Sequence, residues 1–389
     1  MFDKIKTWFK PDLSDEELQK KLEKVRKQTP VPVFWLYGKT QSGKTSLIKF
    51  LTGADEAEIG QGFKPCTRYS RQYLFPTPEA PLLTFLDTRG VDEPGYDPAE
   101  DLARFNAQAH VVVITVKVMD HALENLLRHF EAIRRASPTR PVVLALTCLH
   151  EAYPQSQHPQ PYPFATSNFD LANPSIPEAL RLSLAEQQKR FAGLYDYLVP
   201  IDLTQAIDGF AEPHYGGERL RGVLLEALPA AYRQTLIALE QASKELQDLF
   251  AKRALPHILG YSSLAASAGA IPVPWVDLLI LPGIQTQMIY RLARLYGQPL
   301  SGQRFLELAS TLGMGMVVRQ AVREVVKFIP FVGSVAGAAL AGAATFALGK
   351  SFCYYYSAVC KGHVPKADDL KRYYQEQLDL AGQLWKKGA

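Results

Sequence analysis

Apolar positions along this chain follow two regimes. Between residue 33 and about residue 228, short apolar runs at 33–37, 69–75, 82–87, 110–118, 142–148 and 198–203 alternate with stretches of helical period. Several of these runs are continuous rather than alternating, the pattern of strands buried on both faces of a mostly parallel sheet. The alternation predicts an α/β fold, a three-layer sandwich with a mostly parallel sheet over 31–229. After Pro229 the pattern turns almost wholly helical. Leu236, Leu239, Leu246, Leu249 and Phe250 recur at helical spacing and predict a linker helix over 230–254, followed by an all-α domain over 255–389.

The chain opens, over 1–30, with lead-in helices. Ser14 and Glu17 form a capping box, and Leu18, Leu22 and Val25 mark one face of a helix that ends before Pro30 and Pro32. Before it, Phe2, Ile5, Trp8 and Phe9 sit among Lys4, Lys6 and Lys10, a face suited to an anionic bilayer, though a short docked tail reads equally well. Within the sheet domain the segment 153–177 is rich in Pro, Gln and Ser and is expected to form a surface insertion. In the helical half two apolar regions stand out, at 264–284 and 328–349. The first is interrupted by Pro272, Pro274, Asp277 and Pro282, with Asp277 placed to cap a helix after Pro274. The second carries no charge, is flanked by Lys327 and Lys350, and is long enough to cross a bilayer. Its Gly333 and Gly337 have the spacing that lets helices approach closely. Ala and Gly contribute little to insertion and Pro330 interrupts its start, so a buried hairpin of a helical bundle is the open alternative. The segment 366–387, with Leu370, Tyr374, Leu378, Ala381 and Trp385 on one face, predicts an amphipathic closing helix.

Composition narrows this picture modestly. A net charge of +4 over 389 residues suits a membrane surface or nucleic acid without selecting either. Four cysteines without Cys-x-x-Cys spacing exclude a disulfide scaffold and a zinc module of the usual spacing, and read as reduced thiols. No signal peptide is recognisable, which points to the cytoplasm, with association to or insertion in a bacterial inner membrane left to the apolar regions.

The chemistry concentrates at Gly38-Lys39-Thr40-Gln41-Ser42-Gly43-Lys44-Thr45, which satisfies GxxxxGK[ST] between a strand-like run and a helix marked by Leu47, Ile48 and Leu51. A triphosphate needs many donors converging on its oxygens, and a loop ending on a helix N-terminus supplies backbone N–H groups and the positive end of the dipole. Gly38 and Gly43 let the backbone close, Thr40, Gln41, Ser42 and Ser46 contribute to the cradle, Lys44 reaches the β/γ-oxygens and Thr45 ligates Mg²⁺. Downstream, Asp87-Thr88-Arg89-Gly90 ends an apolar strand, where Asp87 can hold Mg²⁺ through water and the Gly90 N–H can meet the γ-phosphate. Thr67, in a loop before a strand, can complete the Mg²⁺ shell.

P-loop, Thr67 and DxxG in this order resemble the guanine-nucleotide switch proteins, particularly Era-like GTPases of the translation-factor-related class, over roughly half of the chain. The resemblance implies GTP as substrate, GDP as product, Mg²⁺ as cofactor, a first switch around Thr67 and a second over 87–96. It makes Lys44, Thr67, Asp87 and Gly90 the catalytic set, with Thr45, Thr67 and Asp87 on the metal. Where many members have a catalytic Gln, this chain has Val91, so hydrolysis is expected to be slow without an activator, a cation or a nucleotide-dependent homodimer. Arg89 reads as an ordinary switch arginine. Where members read guanine with NKxD or TxxD, this chain has Thr147-Cys148-Leu149-His150-Glu151. A neutral His has one acceptor nitrogen and cannot reproduce a carboxylate's pair of bonds. Glu151 can swing in. Asp202-Leu203-Thr204 takes the place of the last base-contacting loop. Thr147, His150 and Asp202 are therefore the base-side candidates, with guanine preferred and adenine or relaxed specificity the alternative.

The helical half, from Pro274 through Asp277, Gln285, Met288-Ile289 and Tyr296-Gly297 to Lys327-Phe328-Ile329-Pro330, resembles a bacterial domain of unknown function often fused to such GTPases, some of them membrane-associated. The reading that follows is a nucleotide switch coupled to a membrane or to an unknown effector protein through the helix at 232–253. An RNA- or ribosome-linked GTPase is one alternative, though no RNA-binding motif is visible. A nucleotide-binding scaffold with little hydrolysis is the other.

Overall fold

The computed structural model describes residues 23–27, 29–54, 56–65, 70–88, 98–105, 107–153, 157–166, 169–205, 209–210, 212–229, 232–233, 249–270, 276–297, 335–360 and 365–386. Thr67, Arg89, Gly90, Val91, the capping box and most of the coupling helix lie outside these residues. Two compact units emerge: one of residues 31–75 and 83–236, the other of 1–30, 76–82 and 237–389.

The first unit is a seven-stranded sheet. Its strands are β1 (Val33–Tyr37), β2 (Phe63–Pro65), β3 (Ser70–Phe75), β4 (Leu83–Thr88), β5 (Val111–Lys117), β6 (Val142–Thr147) and β7 (Tyr197–Pro200), in the order β2-β3-β4-β1-β5-β6-β7. From β4 to β7 all neighbours are parallel, and only β2 and β3 run antiparallel at one edge. Every residue of β4 and β6 is buried, as their unbroken apolar runs require, whereas β3 alternates toward the edge. β2 is a short edge strand that no apolar run announces; its Pro65 is tolerated because an edge strand can dispense with one N–H. Helices α1 (Lys44–Thr52), α2 (Glu56–Gly62), α3 (Pro98–Phe105), α4 (Glu124–Ala136), α5 (Glu178–Arg190) and α6 (Gly217–Ala227) make the crossovers and flanks.

The segment 153–177 corrects the expectation of a surface insertion. Phe164 and Ile176 are buried in the same hydrophobic cluster as Leu144, Leu146 and Leu180, and Tyr153 joins them. The Tyr162 hydroxyl donates to the Pro200 carbonyl at 2.5 Å, and the Tyr215 hydroxyl donates to that of Pro159 at 2.8 Å. Four large apolar or aromatic side chains, irregularly spaced among prolines, were enough to build core from a polar-looking stretch.

The second unit holds α7 (Leu249–Gly269), α8 (Val276–Leu295), α9 (Val335–Cys360) and α10 (Ala367–Lys386). Helix α7 runs unbroken through residues 254 and 255 and contains Pro256. Ala and Gly let α9 lie close to its neighbours: a Cβ built on Gly349 would sit 2.8 Å from Ile258 and 3.1 Å from Met288 Sδ. Phe346, Ala347, Phe352 and Tyr356 of α9 are buried, and the Gln285 amide donates to Thr345 Oγ1 at 3.2 Å. Among the described residues no helix is long and apolar enough to cross a membrane. The described part of the 328–349 region, residues 335–349, packs against α7 and α8.

His257, on α7, makes this unit sensitive to acid. Its Nδ1 is buried without a hydrogen-bond partner among the described residues, and burial, helped by the Arg291 charge, pushes its pKa down to about 3. The folded unit therefore keeps the imidazole neutral, while the unfolded chain takes up a proton below about pH 6.5. Stability is full above that value and falls as pH drops toward 3, by up to about 1.4 kcal/mol per pH unit. Melting curves between pH 7.5 and 4.5 should show a steeper acid loss for the wild type than for His257→Leu; parallel slopes would refute the assignment.

Candidate functional site

Parallel strands place their C-terminal ends, and the loops that follow, along one edge of a sheet, and ligands of open α/β folds bind there. β1, β4, β5, β6 and β7 deliver Gly38, Asp87, Lys117, Thr147 and Asp202 to that edge. Asp87 pairs in register with Leu36, so the strand before the phosphate loop and the strand carrying the carboxylate end together.

The loop 38–43 is tightly determined. Gln41 and Gly43 both adopt positive φ, 60° and 94°, and α1 starts directly at Lys44 with Gly43 as its cap. A Cβ on Gly43 would come within 3.2 Å of Thr147 Cγ2, so glycine answers both the left-handed backbone and the close β6 neighbour. Thr147 in turn donates its hydroxyl to the Ser42 carbonyl at 3.0 Å, with the Val116 carbonyl at 3.2 Å. Ser42 Oγ and Thr115 Oγ1 share a hydrogen bond of 2.6 Å. Thr40, Gln41, Thr45 and Ser46 are exposed along the outer side of the turn and the first turn of α1.

Lys44 is only 9% exposed. Its ammonium donates to the carbonyls of Gly38 at 2.6 Å and Lys39 at 2.7 Å, and stands 4.0 Å from Asp87 Oδ1. A buried cation needs partners, and these hold it across the mouth of its own loop. Behind Asp87, Thr88 Oγ1 accepts from Trp35 Nε1 at 2.8 Å and from Ser70 Oγ at 3.2 Å. That bracing fixes the end of β4 and ties it to β1 and β3.

The base-side candidates also meet. His150 lies in a one-turn helix, Leu149–Ala152, directly after β6, and Asp202 follows β7. Asp202 Oδ2 accepts from the His150 backbone N–H at 2.7 Å and pairs with His150 Nδ1 at 2.6 Å. Glu151 does not turn toward this cluster: it is paired with Lys117 at 3.1 Å, an interaction that raises the lysine's pKa.

Four participants have roles here that no motif assigns to them. His158, from the 153–177 segment, brings Nε2 to 3.0 Å from Asp202 Oδ2. Lys39 pairs with Asp120 at 2.9 Å, linking the phosphate loop to the turn after β5. Thr115 abuts Gly38. The rule that ligands gather at the C-terminal ends of parallel strands would have pointed to Thr115, Lys117 and Asp120 once β5 was placed beside β1; no sequence signal marks His158.

Comparison with known proteins divides the chain in the same way. Residues 33–148 match the family of 50S ribosome-binding GTPases, and residues 233–383 match a domain of unknown function (DUF697). Magnetosome membrane protein 22 of Magnetospirillum gryphiswaldense is 32% identical over 130 residues, 31% of this chain and 67% of that protein. Among solved structures, a bacterial selenocysteine-specific elongation factor is 18% identical at a TM-score of 0.30; the match covers 51% of this chain but only 29% of the elongation factor's length. A GTP-binding protein of Sulfolobus solfataricus in complex with GDP is 16% identical at a TM-score of 0.26, covering 55% of this chain and 56% of that one. The G domain of the T. maritima FeoB iron transporter is 18% identical at 0.27, covering 51% and 99%.

Proposed function

We propose that this chain, whose residues 33–148 match the 50S ribosome-binding GTPases and whose residues 233–383 match the DUF697 domain, hydrolyses GTP as a switch that governs attachment of its helical half to a membrane surface. The observation that carries the reading is the placement of Lys44, held across its loop at the C-terminal edge of the sheet with Asp87 beside it.

In this reading the N–H groups of the loop and of the first turn of α1 bind the phosphates, and Lys44 exchanges its carbonyl partners for β/γ-oxygens. Thr45, exposed at the first turn, and Asp87, at the end of β4, are hard oxygen donors of the kind Mg²⁺ takes, and Thr67 and Gly90 would complete the set from the switches. When bound, the ion neutralises charge on the transferring phosphate. The protein's own contribution is positioning and charge stabilisation rather than covalent chemistry. Val91 in place of a water-orienting Gln is consistent with slow turnover unless a second copy or an activator supplies the missing group.

Coupling has a covalent route: residues 76–82, which join β3 to β4, group with the helical unit, so the strands bracketing the two switches continue directly into it. The name of the magnetosome relative supports a membrane setting, and the attachment proposed is to the bilayer surface. Sedimentation of the full chain with anionic vesicles, loaded with GDP or a non-hydrolysable GTP analogue, tests this. The bound fraction should differ at least about threefold between the two states. Equal partition, or none, would end the membrane-switch reading and leave a partner protein as the effector.

A further inference from the structure

The phosphate loop is tied down in both of its halves. The half that leads into α1 is held by Ser42, through Thr115 and Thr147. The half that follows β1 is held through a side chain: Lys39 Nζ pairs with Asp120 Oδ2 at 2.9 Å, and the same carboxylate accepts from the Ala122 backbone N–H with its other oxygen, Oδ1, at 3.0 Å. The two side chains are only 19% and 25% exposed, so their pairing is screened less than that of an ordinary surface pair. Asp120 is itself held. It stands in the turn after β5, and three side chains of α5, Ser183, Gln187 and Arg190, donate to carbonyls of that turn from the i, i+4, i+7 positions of one helix face. Ser183 Oγ donates to the Val118 carbonyl at 2.5 Å, Gln187 Nε2 to those of Val118 at 3.2 Å and Asp120 at 2.7 Å, and Arg190 to that of His121. Ser183 and Gln187 are buried, so the turn rests on a fixed base. Residue 39 matters to the site because its carbonyl receives the Lys44 ammonium at 2.7 Å.

We infer that Asp120 is a positioning residue for phosphate binding: α5 holds the turn, the turn presents Asp120, and Asp120 fixes residue 39, so that the loop stands preformed before a nucleotide arrives. The inference rests on the GTPase reading of the same site and adds what the phosphate loop needs from outside its own motif. A loop of glycines and small polar residues has many conformations open to it, and ordering it at the moment of binding costs affinity. The bonds of Ser42 restrain one half only; the half whose carbonyls hold Lys44 relies on Asp120. Because this tether acts on the loop and not on the ligand, it sets the fraction of molecules ready to bind, and apparent affinity scales with that fraction. Its loss should therefore slow association and leave dissociation unchanged. A Lys39 that touched the phosphates itself would behave in the opposite way, since freeing it from Asp120 would slow dissociation.

Stopped-flow mixing of the full-length chain with fluorescently labelled GDP in Mg²⁺ tests this, the diphosphate avoiding turnover. Asp120→Asn and Lys39→Met should each lower the association rate constant about fivefold and leave the dissociation rate constant within about twofold of wild type. The double variant should lose no more than either single one, because both remove the same interaction. Lys39→Arg keeps a cation for the carboxylate and should stay within about twofold of wild type in both constants. Gln187→Met, which removes two of the bonds that hold the turn, should slow association as well and add nothing to Asp120→Asn. Unchanged association in Asp120→Asn, losses that add in the double variant, or a slower dissociation that makes Asp120→Asn bind more tightly would overturn the inference while leaving the GTPase reading standing. Absence of GDP binding by the wild type, or binding that survives Lys44→Ala, would overturn both.

Discussion

Lys44→Ala should lower affinity for GTP and GDP by at least about a hundredfold and leave the sheet domain folded. The ammonium is almost wholly buried, so its binding contribution is not screened as that of a surface lysine would be. It is held by two loop carbonyls within 2.7 Å and by Asp87, and it needs only to exchange carbonyl oxygens for phosphate oxygens. A hydrogen bond to a charged group is worth about 1.5–3 kcal/mol, and about 1.4 kcal/mol is a decade of affinity, so removing two hydrogen bonds to phosphate together costs two decades or more. Folding should suffer less. The loop is also held by Ser42 with Thr115 and by Thr147 with the Ser42 carbonyl, neither of which involves the lysine. Lys44→Arg should not rescue binding, because a planar guanidinium does not fit where a compact ammonium donates to Gly38 and Lys39 carbonyls. Calorimetry with GDP and a denaturant melt on the same preparations separate the two effects. An affinity within fivefold of wild type would mean that the loop does not bind phosphate.

Physical reasons decide how much of this was legible beforehand. The strands buried on both faces were readable to within a residue or two, because each is an apolar run that stands out against its neighbours; the exception is β7, which ends at Pro200, three residues short of its apolar run. β2 was not, since Phe63-Lys64-Pro65 is too short and too polar to differ from a loop and exists through its antiparallel pairing with β3. The phosphate loop was legible as a motif, but what braces it was not: Thr115, 73 residues from Ser42, is an ordinary strand residue by sequence, and Thr147, 105 residues away, was marked for the base side and not for its hydrogen bond to the loop. The segment 153–177 misled because averages over Pro, Gln and Ser hide the few side chains that matter. Tyr162, Phe164 and Ile176 carry its burial, and His158 its share in the site. Among the base-side candidates, the place of His150 just after β6 was legible. Its pairing with Asp202, 52 residues away, was not, because that pairing and the stack of rings behind it are assembled only in the fold. Helix α9 shows a further limit: a run of Ala and Gly serves close packing in a bilayer and in a bundle alike, and the sequence does not show that α7 and α8 are what it packs against.

Gly38→Ala should be the most damaging substitution in the loop that changes no charge. The added Cβ would lie 2.4 Å from the Thr115 carbonyl oxygen, 2.5 Å from Thr115 Oγ1 and 2.7 Å from Ser42 Oγ. A side-chain hydroxyl can rotate away, but the carbonyl belongs to β5, which pairs with β1 on one side and β6 on the other and cannot retreat alone. The loop must move instead. Moving it parts the hydroxyl pair of Ser42 and Thr115 and shifts the Gly38 carbonyl that receives the Lys44 ammonium, so stability and nucleotide affinity should fall together. Forcing a methyl into a filled site costs about 1–3 kcal/mol, and nucleotide affinity should drop at least about thirtyfold. Gly53→Ala is the control. Gly53 also has positive φ, 68°, but nothing lies within 4 Å of its Cβ position, so it should lose only the backbone penalty of about 1 kcal/mol and keep full affinity. Urea melts and GDP titrations of both variants decide the matter: equal effects would mean that backbone conformation alone, and not the approach of β5, makes position 38 glycine.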